Sequence, residues 1–321
     1  MEMTESNPEP ICSFEGPTID LLIISDLHLR ATGAQYPVAD LPVETHDIVL
    51  SLGDVIDENR EYAKSASAGD VYEERGRALL ERLNEQGGPV LTVPGNHDPV
   101  DCTQRLSEGL TNIHPLHRDT RNVVVGSDWS LTIAGWGCEQ FNFTPALLSP
   151  RYPDIPVEDE ARTPDSVAST LLRAAAKYLD ADLSETNLAH KLGTDATNPS
   201  FKTSLAQLDT RFETLLELVE DANSPTIVAS HVSPFNVPFD IRGQHSHDGD
   251  YHFGSVALRL ALAATGVDAC LSGHTHQRGL TAIPTTSGHS YVHNPGDAGV
   301  SSVSVSQDGT LHAEEVDVSW R

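Results

Sequence analysis

The sequence predicts an α/β fold in which sheets and helices form layers. Residues 18–25, 47–52 and 89–93 are short, nearly continuous apolar runs, which are typical of strands buried on both faces. Apolar residues recur at helical spacing over 70–86, with charged residues between them. Strands that alternate with helices and then give way to a β-rich stretch indicate a layered α/β core.

The other predicted elements follow from the same two patterns. β-branched and aromatic runs mark strands, and apolar residues at helical spacing mark helices. We predict a hairpin from 121–126 and 129–136, helices at 166–181, 204–222 and 255–264, strands at 225–230 and 267–272, and alternating strands over 289–318 with a turn at Gln307-Asp308-Gly309.

The chain is interpreted as one domain behind a short leader. Residues 1–17 are polar and acidic and predict a flexible leader. Residues 18–321 are then a single domain, with a helical insert at about 139–225 that begins in a Pro- and Asp-rich loop. A chain of 321 residues is long enough to bury about 75% of its unfolded surface.

The charge balance is strongly acidic. The chain has 47 Asp plus Glu against 20 Lys plus Arg, a net charge of −27. One interpretation is an acidic protein of an ordinary cytoplasm. The composition favours a second, adaptation to multimolar salt in a halophilic source, where a Debye length of about 3 Å screens self-repulsion. The sequence shows no basic patch, which argues mildly against a long nucleic-acid footprint.

Cysteine usage and the N-terminus predict a cytoplasmic protein. The cysteines at 12, 102, 138 and 270 form no C-x-x-C pair and are interpreted as thiols in a reducing compartment. The N-terminal residues lack the basic and apolar regions of a signal peptide. No apolar stretch approaches the roughly 18 residues that a membrane span needs, so we expect no membrane partner.

Two pairs of side chains have the spacing of metal ligands. Asp26 and His28 are two residues apart after the first apolar run, and His274 and His276 repeat this spacing after Gly273. In extended backbone the two side chains of such a pair lie on the same side, so each pair can bind one metal ion. Taken alone, each pair is more often a solvated surface feature.

A third acidic residue follows the second apolar run. Asp54 comes directly after Gly53, which lets the backbone turn, and its two oxygens can bridge two metal ions. A strand that ends in Gly-Asp is frequent, so this signal is weak by itself. Asp57 is interpreted as a supporting partner or as a helix N-cap.

The block Asn96-His97-Asp98 and His231 complete the set. Asn96 offers an amide oxygen to a cation, His97 can donate a proton or a hydrogen bond to phosphate, and Asp98 can orient His97. A lone histidine such as His231 is more often structural, but its place in this ordered set favours a ligand. Carboxylates and imidazoles without thiolates suit divalent Mn, Fe or Zn, and a pair of such ions forms a clamp for phosphoryl hydrolysis.

Together these segments resemble the calcineurin-like metallophosphoesterase superfamily. The family pattern is D-x-H, G-D-x-x-D, G-N-H-D/E, a single H and G-H-x-H, and every block occurs in order between residues 26 and 276. The resemblance implies a central β-sandwich flanked by helices in four layers. It implies one metal held by Asp26, His28, Asp54 and His276, and another held by Asp54, Asn96, His231 and His274, with His97 and Asp98 in catalytic roles.

The resemblance also implies an activity. We expect hydrolysis of a phosphomonoester or phosphodiester by a hydroxide that two divalent ions activate, with Mn favoured over Fe or Zn. The alternatives are a DNA or RNA nuclease of the same superfamily and a non-catalytic metal-binding module. Asp57 replaces the tyrosine of purple acid phosphatases, and Glu58-Asn59 replaces the Arg-Gly of protein phosphatases, which leaves the substrate open.

Two regions are candidates for contact with the substrate. The loop at 243–253 contains His245, His247 and His252, and it follows the candidate ligand His231. Trp136 and Phe141 follow the predicted hairpin and can stack on an aromatic group. A solvated loop and core packing, respectively, are the competing interpretations. The sequence leaves the oligomeric state open.

Overall fold

The computed structural model describes residues 10–30, 40–57, 66–126, 129–137, 164–220, 225–241 and 252–318. Within these ranges the strands are β1 (Cys12–Phe14), β2 (Thr18–Ser25), β3 (Ile48–Ser51), β4 (Val90–Thr92), β5 (Ile113–Pro115), β6 (Asp119–Val125), β7 (Trp129–Trp136), β8 (Thr226–Ser230), β9 (Ala269–Leu271), β10 (Gly279–Thr285), β11 (Gly288–Asn294), β12 (Gly299–Ser306) and β13 (Leu311–Glu315). The helices are α1 (Ala66–Glu85), α2 (Val100–Ser107), α3 (Pro164–Leu179), α4 (Glu185–Lys191), α5 (Pro199–Val219) and α6 (Val256–Ala264).

The strands form two stacked sheets. One has the order β1-β6-β7-β8-β9-β11-β10, and the other has the order β13-β12-β2-β3-β4-β5. Apolar side chains from both sheets fill the space between them, among them Ile23, Leu50, Ile133, Ala229 and Leu271. Burial of these side chains on both sheets makes the sandwich interior the central core of the molecule.

Helices cover both outer faces of the sandwich. Leu80, Leu83 and Leu106 of α1 and α2 pack against Leu22 and Val49 of the six-stranded sheet. Helices α3 to α6 pack on the seven-stranded sheet, where the contacting residues include Leu171, Leu188, Leu208, Leu258, Val228 and Val292. The fold is therefore helix, sheet, sheet, helix, and the four-layer α/β fold that the sequence predicts is confirmed.

Parallel pairing places the motif-bearing strand ends at one edge. Strands β2, β3 and β4 are parallel neighbours in one sheet, and β7, β8 and β9 are parallel neighbours in the other. Each candidate ligand follows the carboxyl end of β2, β3, β4, β8 or β9. The carboxyl ends of parallel strands share one edge, so residues far apart in sequence meet there.

Some elements differ from the predictions. Cys12–Phe14, inside the predicted leader 1–17, forms β1 and pairs in parallel with β6. Strands β5 and β10 and helices α2 and α4 carry too weak a pattern to be predicted, because they are short or contain Gly and Pro. Helices α3 to α5 lie within the predicted insert 139–225, but residues 138–163, with Cys138 and Phe141, lie outside the described residues. The division into leader, domain and insert stays a prediction.

Two further findings concern covalent links and membrane spans. The described cysteines Cys12, Cys102 and Cys270 form no disulfide with one another. In the described ranges, every helix is too short or too polar to cross a membrane.

Candidate metal centre

The candidate ligands meet where the strand ends of the two sheets converge. Five of them have a positive φ between 47° and 69°, namely Asp26, His28, Asp54, His274 and His276. Non-glycine residues rarely adopt this conformation, and such strain is retained where the surrounding structure imposes it, often at functional sites. The backbone thus turns sharply after β2, β3 and β9 and directs the side chains that follow into the common site.

The first half of the centre consists of Asp26, His28, His276 and Asp54. The Nε2 atoms of His28 and His276 lie 3.0 Å apart. Oδ1 of Asp26 is 3.6 Å from Nε2 of His276 and 4.0 Å from Nε2 of His28. Oδ2 of Asp54 is 3.8 Å from Nε2 of His28. These four side chains, which the sequence assigns to one metal ion, therefore surround a common point.

The second half consists of Asp54, Asn96, His231 and His274. Nε2 of His231 lies 3.0 Å from Oδ1 of Asn96 and 3.3 Å from Oδ2 of Asp54. The rings of His231 and His274 are 5.1 Å apart, and one ligand atom from each of Asp54, His231 and His274 falls within a group 4.8 Å across. The structure thus brings together the four residues that the sequence assigns to the second ion.

Asp54 is the residue that the two halves share. Its Oδ1 accepts a hydrogen bond from the backbone N–H of His97 at 2.8 Å, which fixes the carboxylate plane. Its Oδ2 then faces both His28 and His231, and the side chain is 2% exposed. One oxygen atom between two sets of imidazoles is the arrangement that a bridging carboxylate requires.

Neighbouring groups fix the orientation of the ligands. Nδ1 of His231 donates to the carbonyl oxygen of Leu52 at 2.7 Å, which leaves Nε2 as the atom facing the centre. The carboxylate of Asp26 accepts from the hydroxyl of Ser25 at 2.5 Å and from the backbone N–H of His274 at 3.0 Å. These bonds hold the two motifs in register across the sandwich.

Close backbone packing explains two glycines of the motifs. A Cβ atom at Gly95 would overlap the carboxylates of Asp54 and Asp98. A Cβ atom at Gly273 would overlap the side chains of Ser25 and Asp26. Each glycine therefore lets a ligand-bearing loop approach the carboxylate that organises it.

Burial and mutual charge set the protonation of the centre. Burial raises the pKa of the Asp26 carboxyl, and burial lowers the pKa of His28 to about 4, so His28 is neutral near pH 7. Burial also acts to raise the pKa of Asp54, but the imidazoles of His231, His97 and His28 outweigh it and lower that pKa. For His231 burial acts to lower the pKa, and the carboxylates of Asp54 and Asp26 outweigh it and raise that pKa.

These opposing shifts in pKa are those expected of a site for divalent cations. Buried carboxylates and imidazoles in contact compensate one another by sharing protons, and a divalent cation can replace those protons. The donor set is made of imidazole nitrogens, carboxylate oxygens and one amide oxygen, which suits first-row divalent metals. The residues present therefore fit the metal ions that the sequence predicts.

His97 lies next to the first half of the centre. Its ring is 4.8 Å from that of His28, and its side chain is 29% exposed. Nδ1 of His97 lies 3.4 Å from Oδ1 of Asp57, whose Oδ2 accepts a hydrogen bond from Nε of Arg30 at 3.1 Å. Asp57, rather than Asp98, is thus the carboxylate beside His97.

Asp98 does not take the predicted position behind His97. Its buried carboxylate accepts hydrogen bonds from the backbone N–H groups of Asp54 at 2.9 Å, Val55 at 2.8 Å and Gly95 at 2.7 Å. The chain turns after His97, so Asp98 points back beneath the loop that follows β3. Its function in the structure is to tie that loop to the Gly95–Asp98 loop.

Two predicted substrate contacts are buried instead. His252 is 1% exposed, and its Nδ1 lies 2.7 Å from Oδ1 of the buried Asp240. Trp136 is 5% exposed and packs in the core beneath α3 to α6, with the guanidinium carbon of Arg118 5.4 Å from its ring centre. The structure therefore places both side chains in the interior, where neither is open to solvent, and substrate contact by either residue stays a prediction that burial argues against. His245, His247 and Phe141 lie outside the described residues.

Sequence reasoning missed several supporting residues. The Leu52 carbonyl oxygen, Ser25 and Asp297 all contact a candidate ligand, and Asp297 lies 3.3 Å from Nδ1 of His276. Ser25 and Leu52 directly precede motif residues, so position alone offered a signal. The contact of Asp297 with His276 depends on the path of the chain between β11 and β12 and has no sequence signal.

A helix-flanked β-sandwich with carboxylates and imidazoles at its strand ends defines the chain as a candidate metal-dependent hydrolase. A family model for calcineurin-like phosphoesterases matches residues 19–278, which is most of the chain. The chain therefore belongs to the calcineurin-like phosphoesterase family. Its members typically bind two divalent metals and hydrolyse phosphate esters, although some are non-catalytic.

A comparison with solved structures finds similar chains of low sequence identity. One crystal structure with 13% sequence identity aligns over 94% of this chain and 100% of its own, with a TM-score of 0.52, and this likeness shows the fold alone. TT1561 of Thermus thermophilus has 15% identity over 94% of this chain and 100% of its own, with a TM-score of 0.46. Phosphopantetheinyl hydrolase (PptH) from Mycobacterium tuberculosis has 16% identity over 88% and 91%, with a TM-score of 0.41. No curated protein sequence matches the chain significantly.

Proposed function

We propose that this protein hydrolyses a phosphomonoester or phosphodiester with two divalent metal ions. The observation that carries the proposal is the position of Asp54. Its Oδ2 lies 3.8 Å from Nε2 of His28 and 3.3 Å from Nε2 of His231, so a single carboxylate joins the two sets of donors. Asp26, His28, Asp54 and His276 would hold one ion, and Asp54, Asn96, His231 and His274 would hold the other.

When bound, such ions lower the pKa of coordinated water and neutralise the charge that develops on phosphate. The chain's own residues hold the donors in place before any ligand arrives. The Leu52 carbonyl oxygen fixes the ring of His231, and the His97 N–H fixes the carboxylate of Asp54. Prearranged donors avoid the cost of reorganisation during the reaction.

His97 is proposed to act on the ester directly. Its half-buried ring lies beside His28 at the edge of the centre, and Asp57 faces its Nδ1. A carboxylate that faces Nδ1 orients the ring, and the other ring nitrogen, Nε2, can donate to a phosphate oxygen or to the leaving group. Asp57 is thus a positioning residue, and Asp98 supports the loop rather than the chemistry.

The test is hydrolysis of an aryl phosphodiester and an aryl phosphomonoester with and without metal. We expect activity to disappear after chelation and to return with Mn²⁺, with about two metal ions per chain by elemental analysis. His97→Ala should lower kcat by about 10²–10⁴-fold, the usual contribution of a general acid. His312→Ala, which changes an exposed histidine paired with Glu314 on β13, should not affect kcat.

Full activity of His97→Ala, or activity that survives complete removal of metal, would overturn the proposal. A protein that binds both ions but hydrolyses neither ester in high or low salt would favour the non-catalytic alternative. The same panel with duplex DNA tests the nuclease alternative, which no contact among the described residues favours. Manganese as the native metal, adaptation to high salt and a cytoplasmic location stay predictions, and activity that requires molar salt would support the second of these.

A further inference from the structure

Arg30 is an exposed cation beside the His97 side of the centre. Its side chain is 72% exposed, and its Nε donates to Oδ2 of Asp57 at 3.1 Å. The other oxygen of the same carboxylate lies 3.4 Å from Nδ1 of His97. Asp57 therefore stands between a guanidinium and the imidazole that we propose acts on the ester.

The backbone determines this position. Pairing of β2 with β3 continues past the ends of both strands, where the N–H of Leu29 donates to the carbonyl of Val55 at 2.9 Å and the N–H of Asp57 donates to the carbonyl of Leu29 at 3.0 Å. This ladder sets Arg30 beside Asp57. The guanidinium is thus held near the centre by backbone bonds as well as by its ion pair.

The charge of Arg30 is unusual in its surroundings. The chain has 20 Lys plus Arg against 47 acidic residues, and the centre itself contains the carboxylates of Asp26, Asp54 and Asp57. An anionic phosphate ester has to approach this acidic protein, and a guanidinium can bind two phosphate oxygens in a fixed geometry. An exposed ion pair such as Arg30–Asp57 is weak, so Arg30 can exchange it for a substrate anion at little cost.

The order of contacts places two side chains, Asp57 and His97, between Arg30 and the candidate ligand His28. His97 packs 4.8 Å from the ring of the ligand His28, Asp57 faces His97, and Arg30 faces Asp57. A scissile phosphate between the ligands and His97 leaves the guanidinium next to the adjoining group of the ester.

We propose that Arg30 binds a second phosphoryl group of the substrate. The proposal rests on the proposed function and narrows its substrate class to esters with a phosphoryl group beside the scissile one. Arg30 is then a binding residue that discriminates between substrates, while the metal ions and His97 would act on the scissile phosphate.

Calorimetry with two non-hydrolysable ligands tests this proposal. Methylphosphonate carries one phosphoryl group and methylenediphosphonate carries two, and each is added as its Mn²⁺ complex to the full-length protein in excess Mn²⁺. We expect Arg30→Gln to weaken methylenediphosphonate about tenfold or more, as for loss of a charged hydrogen bond, and methylphosphonate less than twofold. Arg30→Lys should give an intermediate loss for the diphosphonate.

Arg105→Gln is the matched control. Arg105 on α2 is an exposed arginine paired with Glu73 and Asp101, so its loss removes the same charge away from the centre. This variant should bind both ligands like the wild type. Equal weakening of both ligands in Arg30→Gln, or no weakening of either, would overturn the inference.

The aryl diester separates this inference from the proposed function. Arg105→Gln should hydrolyse it at a rate within about threefold of the wild type, because Arg105 pairs with Glu73 and Asp101 away from the centre. If the wild type does not hydrolyse any ester, the proposed function fails, whereas the ratio of the two phosphonate affinities still reports on Arg30.

Discussion

The two halves of the candidate centre differ in exposure. The side chains of His231 and Asp54 are 0% and 2% exposed, whereas those of His28 and His276 are 16% and 27% exposed. The buried half is fixed by bonds to the protein, such as the one from His231 to the Leu52 carbonyl oxygen. The exposed half borders His97 and Arg30. One half is therefore held rigidly by the protein, and the other is open to solvent.

The largest expected effect is the loss of the residue that both halves share. Asp54→Asn keeps the size of the side chain but removes the charge, so neither half can hold its ion tightly. We expect kcat on an aryl phosphodiester to fall by on the order of a thousandfold, about 4 kcal/mol of transition-state stabilisation. Elemental analysis should find less than one metal ion per chain. A variant that retains two ions would show that Asp54 does not bridge them.

The halves should respond differently to removal of a histidine. His231→Ala removes a fully buried ring and leaves the Leu52 carbonyl oxygen unpaired, so we expect a loss of about 3 kcal/mol in the free energy of unfolding. His276→Ala at the exposed half should cost less than about 1 kcal/mol. Urea denaturation in the presence of a chelator measures both. Equal losses would contradict the division into a rigid and an accessible half.

Substitutions of Asp98 and Asp57 should have different effects, the first on the stability of the protein and the second on its activity. Asp98→Asn cannot accept the three backbone hydrogen bonds, because an amide NH₂ would face a donor, so we expect about 2 kcal/mol lower stability. Asp57→Asn should leave stability nearly unchanged and lower kcat about tenfold. Urea denaturation and initial rates on the aryl diester distinguish them. The reverse result would restore the predicted role of Asp98 beside His97.

The smallest expected effect at neutral pH, which grows only as the pH decreases, concerns a buried histidine outside the set of candidate ligands. Burial lowers the pKa of His293 to about 4, against about 6.5 in an unfolded chain. Between these values the unfolded state binds the proton and the folded state does not. The contribution of His293 to stability is thus complete above pH 6.5 and falls as pH decreases toward 4, by about 1 kcal/mol per pH unit.

His293→Asn removes this dependence. In a chelator, the difference in unfolding free energy between wild type and variant should shrink as pH decreases from 6.5 to 4. The variant should still bind two metal ions near pH 7, because His293 is not one of the candidate ligands. A difference that is constant over this pH range would refute the effect of His293.

Elements with a strong local pattern could be predicted from the sequence. The run at 18–25 forms β2 with the same bounds, because a strand buried between two others needs a continuous apolar run. Strand β10 (Gly279–Thr285) contains Gly and Pro and is largely exposed at a sheet edge, so its sequence carried no such pattern. Its assignment depends on pairing with β11.

For the candidate site, too, the sequence predicted what depends on local pattern and not what depends on contacts between strands. The sequence by itself determined which candidate donors follow which strand, and parallel pairing then brings those strand ends together, so the sequence could predict that these donors lie close together. Only the tertiary structure decided which carboxylate stands beside His97. Asp98 is the neighbour in sequence, but the backbone turns it under the loop, and Asp57, which the register of β2 with β3 sets next to Arg30, stands beside His97 instead. Contacts between separate strands depend on register and on the direction of each turn, and neither is encoded in the local pattern of residues.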